Sequence, residues 1–213
     1  IAQELALAHP ECVASITLIS TIASPTHSIP SFRALMNFSK ASGVFPANAK
    51  ERGLAGLRVN MPERWLQENR KSDLHNGEEV SNERWVKKVN AIMAAEVPTD
   101  LKAEGQDKPP PAPPLSTLRK QLSAAMTHRT SHQRFQSLRD RKIPVTVLTG
   151  DLDELVRPIN SRVLAEMLQR PVQILEGAGH GLIHQDPSGV NSIIEATIWE
   201  GERRRLLVTQ ARL

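Results

Sequence analysis

The sequence predicts an α/β fold: parallel strands with flanking helices, interrupted by a mostly helical insertion. Three observations carry this. Residues 13–20 (VASITLIS) and 143–149 (IPVTVLT) are β-branched, mostly apolar runs without clean alternation, as expected of strands buried on both faces of a parallel sheet. A third short strand is expected at 172–175, and the span from Asp153 to Val172 has room for one crossover helix. Between 24 and 129 the character changes: Pro25, Pro30, Pro46 and Pro62 punctuate short helical patterns, and no convincing alternating strand occurs.

In chain order, Ile1 to Ala8 reads as a helix apolar on nearly all sides, suited to covering a sheet, and His9-Pro10 ends it. It lacks a Ser, Thr, Asp or Asn cap, so the expectation is a helix already under way at Ile1, with its start outside this sequence. In the insertion, Phe32, Leu35, Met36 and Phe38 have helical spacing, as do Trp65 with Leu66 and Trp85 with Val86 and Val89. Residues 99–114 (TDLKAEGQDKPPPAPP) read as a proline-rich loop, and 115–126 return to helix. A helix is then expected at 131–139. Another spans 158–168, with Pro158 in its first turn where its missing N–H costs nothing. Asp186-Pro187 forms a cap for a last helix reaching about Trp199.

Composition narrows the function classes. No run approaches the roughly 18 apolar residues that span a bilayer, so no membrane span is expected. Cys12 is alone, which excludes an internal disulfide, and reads as a small buried hydrophobe. The net charge of +4 is concentrated at 119–142 and in Arg203, Arg204 and Arg205. With no tyrosine, few aromatics, no zinc-finger spacing and no RNA-recognition signature, no nucleic-acid partner is expected. No targeting segment is recognised, and the cytoplasm is the expected compartment.

The chemistry concentrates in two loops after the last two strands, GDLDELV at 150–156 and EGAGHGL at 176–182. Ligands of open parallel sheets bind at the carboxyl ends of strands. Adjacent strands would therefore bring an aspartate and a histidine to one edge, where a carboxylate can hold an imidazole in one tautomer. Gly177, Gly179 and Gly181 let the second loop bend sharply and let substrate approach His180. Asp151 competes with Asp153 for the acid role, although it abuts the strand and could instead bond turn amides. Asp186 is better explained as a helix cap. His128 and His132 have the i, i+4 spacing of a metal pair, but no third ligand is apparent, and neither a metal nor another cofactor is expected.

These segments, followed by a proline and helix, resemble the end of the α/β-hydrolases, in which the acid precedes the histidine. The opening IAQELALAHPE is similar to the helix after that family's nucleophile elbow, and the insertion falls where the family carries a helical cap. The resemblance implies a core at 1–23, a cap at 24–130, a second core part at 131–201 with the acid and histidine loops, and a frayed basic tail at 202–213. It also implies Asp153 as triad acid, third after the strand-ending glycine, and His180 as base. Leu155, Val156, Leu182 and Trp65 are the candidate pocket residues.

One departure from the family pattern matters more than these matches. No glycine is followed two positions later by serine, so the G-x-S-x-G elbow is absent, together with the oxyanion-loop glycines. The expectation is a hydrolase lacking its nucleophile and inactive alone, whose full-length parent acts on an ester or related bond of a small apolar substrate. The nucleophile could be serine or aspartate, and the resemblance makes a serine-type esterase the default expectation. The absence of tyrosine argues against an epoxide hydrolase, which in this fold uses cap tyrosines. The alternative is a truncated or degenerate non-catalytic chain, retained as a binding module or without function. Oligomeric state is left open.

Overall fold

The computed structural model describes residues 1–95 and 115–210; the loop expected at 99–114 lies outside them. Helix α1 (Ala2–Ala8) starts at Ile1 without a side-chain cap. It is not apolar all round: Gln3 and Ala6 are buried, whereas Leu5 is 52% exposed. The 3-10 turn Pro10–Cys12 leads to β1 (Ile16–Ile19), in which Ile16 and Leu18 are buried and Thr17 and Ile19 partly so. Cys12, expected inside, is exposed on that surface turn, its sulfur 3.8 Å from Glu11 Oε1.

The expected helical insertion then begins. Ser31 caps α2 (Phe32–Ala41), its hydroxyl accepting from the Ala34 amide at 3.0 Å. Asn48 and Glu51 make a reciprocal capping box at the start of α3 (Ala49–Asn60). After α4 (Glu63–Gln67) the insertion departs from expectation: β2 (Asn69–Ser72) and β3 (Glu78–Ser81) pair antiparallel. Their four-residue strands are charged and mostly exposed, so no apolar alternation marked them. The readable signal was Asn76-Gly77, whose φ values of +56° and +79° are the left-handed backbone a hairpin turn requires. Helices α5 (Asn82–Ala95) and α6 (Leu115–Thr127) come next among the described residues.

The second core part follows the expected order: α7 (His132–Asp140), β4 (Val145–Gly150), α8 (Pro158–Leu168), β5 (Val172–Leu175), a short α9 (Leu182–Gln185) and α10 (Pro187–Gln210). Asp186 caps α10, its Oδ1 accepting from the Gly189 amide at 2.9 Å. That helix does not stop near Trp199: residues 202–210, expected to fray, continue it, and Arg204 reaches the Arg141 carbonyl. His128 and His132 do not share a helix. His128 follows α6 and bonds Gln3 and Thr130 through Nε2, at 3.2 Å each, while His132 opens α7.

The sheet has the order β1-β4-β5, all parallel. On one face α1, α7 and α8 bury a core containing Phe135, Leu138, Val147, Leu164 and Leu168. On the other, Leu148, Ala178, Leu182 and Val190 form a second cluster beneath α10. The insertion has its own small core of Leu57, Met61, Leu66 and Val86, flanked by Trp65 and Trp85. Arg70 stacks on Trp85, 4.0 Å from the ring centroid. Among the described residues no helix is long and apolar enough to cross a membrane.

Candidate active site

Two loops leave the carboxyl edge of the sheet, one after β4 and one after β5, and a close approach at Gly150 brings them together. A Cβ on Gly150 would lie 2.1 Å from the Ala178 carbonyl oxygen, so only glycine lets the histidine loop settle there. Backbone hydrogen bonds then join the loops: Asp151 N–H donates to Leu175 O at 3.1 Å, and Leu152 N–H to Ala178 O at 2.9 Å.

This places His180 Nδ1 3.0 Å from Asp153 Oδ2. Asp153 is 2% exposed, and its other oxygen, Oδ1, accepts the amides of Leu155 at 3.0 Å and Val156 at 2.8 Å. Both carboxylate oxygens are thus occupied, and the group cannot rotate without losing a partner. A carboxylate only accepts, so the contact puts the proton on Nδ1 and leaves a lone pair on Nε2. Asp151, the competing acid, is exposed and not bonded to His180.

The insertion holds each loop at one point. Ser31 N–H donates to Glu154 O at 2.9 Å, and Ser31 Oγ donates to Glu154 Oε2 at 3.1 Å. At the histidine loop, Gly181 N–H donates to the carbonyl of Asn60, the last residue of α3, at 2.6 Å. A Cβ at Gly179 would meet that same oxygen at 2.7 Å and Pro62 Cδ at 2.8 Å. The space freed by Gly179 and Gly181 therefore admits the insertion, where the sequence suggested substrate.

A cavity of about 480 Å3 opens beside His180, walled by the acid loop, the start of α8, α2 and the α3–α4 junction. Its wall carries many charges, with Arg33, Arg58, Arg64 and Arg157 beside Asp151, Asp153, Glu63 and Glu154. Arg58 and Glu63 form a two-point ion pair, at 2.9 Å through Nη2 and 2.5 Å through Nε. The Arg58 hydrogen bond holds the Glu63 carboxyl below its ordinary range, and Glu63 raises Arg58 in return. The one hydroxyl side chain among the described lining residues is Ser31, already engaged with Glu154 and the α2 amide.

None of the four expected pocket side chains lines this cavity. Leu182 is fully buried in the cluster under α10. Leu155 and Val156 instead serve through their amides, and Trp65 packs against the insertion's core. The sequence reading missed Asn60, Arg33, Arg58 and Arg157. Only Arg157 had a signal, standing between the acid loop and Pro158; the others lie on helices whose positions relative to the loops no local pattern encodes.

This architecture is that of the α/β-hydrolase fold: a parallel sheet with flanking helices and a mostly helical part, with the Asp153 and His180 loops at the carboxyl edge of the sheet. Solved structures share this fold with the chain and are distant from it in sequence. BpoC of Mycobacterium tuberculosis H37Rv, a candidate non-heme bromoperoxidase, aligns over 94% of this chain with a TM-score of 0.58 and 21% identity. Rv0554 from the same organism aligns over 92% with a TM-score of 0.55 and 19% identity. The meta-cleavage product hydrolase CumD of Pseudomonas fluorescens IP01 aligns over 93% with a TM-score of 0.56 and 14% identity. The chain spans 63%, 60% and 60% of the lengths of these three structures respectively. No protein-family model and no curated protein matches it.

Proposed function

We propose that this chain supplies the acid, Asp153, and the base, His180, of a hydrolase acting on an ester or related bond of a small molecule. The observation that carries the reading is the 3.0 Å contact between His180 Nδ1 and a buried Asp153 whose second oxygen holds two amides. In that setting His180 Nε2 takes the proton of an attacking nucleophile and returns it to the leaving group. Asp153 orients the ring and stabilises the imidazolium. A serine or aspartate nucleophile and the oxyanion donors lie outside these 213 residues on this reading, because no elbow pattern occurs and Ser31 is otherwise engaged. A base without a nucleophile does not turn over, since triad members act as a unit.

The absent elbow equally favours a second reading, a non-catalytic binding module. The coding sequence directly ahead of Ile1 separates the two. The hydrolase reading expects a strand and an elbow there; a stop codon or unrelated sequence contradicts it. In the longer protein, with p-nitrophenyl acetate as substrate, His180→Ala and Asp153→Asn each lower kcat on the order of 10^4-fold, while Asp151→Asn changes it less than about tenfold. Equal losses at Asp151 and Asp153 contradict the acid assignment. The 213-residue chain itself is expected to show no His180-dependent turnover.

A further inference from the structure

The cavity beside His180 carries four arginines and four carboxylates on its wall, more charge than an apolar substrate calls for, and its arginines are unequally occupied. Arg58 is bound at two points by Glu63. Arg64 pairs with Glu68 along α4, at 3.4 Å. Arg33 has only long contacts, 3.8 Å to Glu63 and 4.0 Å to Glu154, and its side chain is half exposed. Arg157 makes no side-chain hydrogen bond or ion pair with any described residue, although it lines the same cavity as His180 and belongs to the loop that carries Asp153.

We propose that Arg157, assisted by Arg33, binds a carboxylate carried by the substrate itself, so that the molecule presented to His180 is a short ester bearing one negative charge. A guanidinium matches a carboxylate through two parallel N–H donors, a geometry that fixes orientation as well as charge. The charge count on the wall selects a monoanion. Asp151, Asp153, Glu63 and Glu154 line the cavity beside its four arginines, so the wall carries no net positive charge to hold a phosphate dianion. The volume suits a small molecule, lying toward the lower end of the roughly 300–1,000 Å3 typical of ligand pockets. Monoesters of short dicarboxylic acids meet these conditions. The inference rests on His180 being the base, because Arg157 is a subsite only for a molecule seated in the cavity that His180 also lines.

The test is a titration of the isotope-labelled 213-residue chain, followed through the His180 ring and the Arg157 side-chain resonances. The probes are monomethyl succinate, dimethyl succinate and inorganic phosphate. Saturable shifts are expected with the monoester and none with the neutral diester. Arg157→Gln should weaken the monoester by about tenfold or more, Arg157→Lys by less, and His180→Ala should leave binding detectable at Arg157. Equal response to the diester, or no effect of Arg157→Gln, overturns the carboxylate site. Phosphate binding as tight as the monoester overturns the choice of a monoanion. If those failures occur while His180 keeps its bond to Asp153, the subsite alone is wrong; if that bond is also missing, the hydrolase reading beneath it fails.

Discussion

Gly150→Ala is expected to be among the most damaging single changes in this protein, because the added methyl would sit 2.1 Å from the Ala178 carbonyl oxygen and 2.8 Å from that of Gly179. Both contacts are with backbone, which cannot step aside as a flexible side chain would. The loop after β5 must move away from the loop after β4, breaking the Leu152 to Ala178 hydrogen bond and drawing His180 from Asp153. The cost should reach the upper end of the overpacking range, roughly 3 kcal/mol, or about 6–12 °C in Tm at the 2–4 °C per kcal/mol usual for a chain of this size. Gly53→Ala is the control. A Cβ there meets nothing within 4 Å on the exposed side of α3, so the change should be neutral or stabilising. Thermal unfolding of the two variants side by side checks this; a Gly150→Ala loss below about 1 kcal/mol contradicts the close approach.

Phe135→Ala is expected to cost about 3–5 kcal/mol. Phe135 is fully buried on α7, in the cluster that joins α1, β1, β4 and α8, so its removal opens a cavity at the junction of the two core parts. Folded domains hold only about 5–15 kcal/mol in total, so the variant should sit close to unfolding at ordinary temperature. Urea denaturation with a shared slope for wild type and variant reads the difference directly. A loss under about 1 kcal/mol would mean that α7 is not part of this core. The exposed Phe32, 79% accessible on α2, should tolerate the same substitution with a change of at most about 0.5 kcal/mol.

What the sequence revealed and what it hid divide along the range of the interactions. Strand β4, helix α8 and the two loops were legible because each has a local signature: a β-branched run, a proline in a first turn, glycines around a histidine. The pairing of Asp153 with His180 followed from parallel topology, which sends both loops to one edge. The hairpin of β2 and β3 was overlooked because its exposed charged strands bury little, although Asn76-Gly77 marked the turn. Leu182 illustrates the other failure. Its place beside His180 in sequence suggested a pocket wall, but the short helix α9 turns it into the core under α10. The grip of Asn60 on Gly181 joins residues far apart in the chain, and no local pattern encodes it.

The central claim is that a buried Asp153 holds His180 in the form with the proton on Nδ1 and a free lone pair on Nε2. Nitrogen-15 NMR of the histidine ring in the 213-residue chain tests it most directly, because neutral imidazole nitrogens with and without a proton resonate far apart. For the neutral His180 ring, a protonated Nδ1 and a bare Nε2 are expected. That preference should be lost in Asp153→Asn and retained in Asp151→Asn. A His180 ring with its proton on Nε2, or one that mixes both forms and does not respond to Asp153→Asn, would contradict the account.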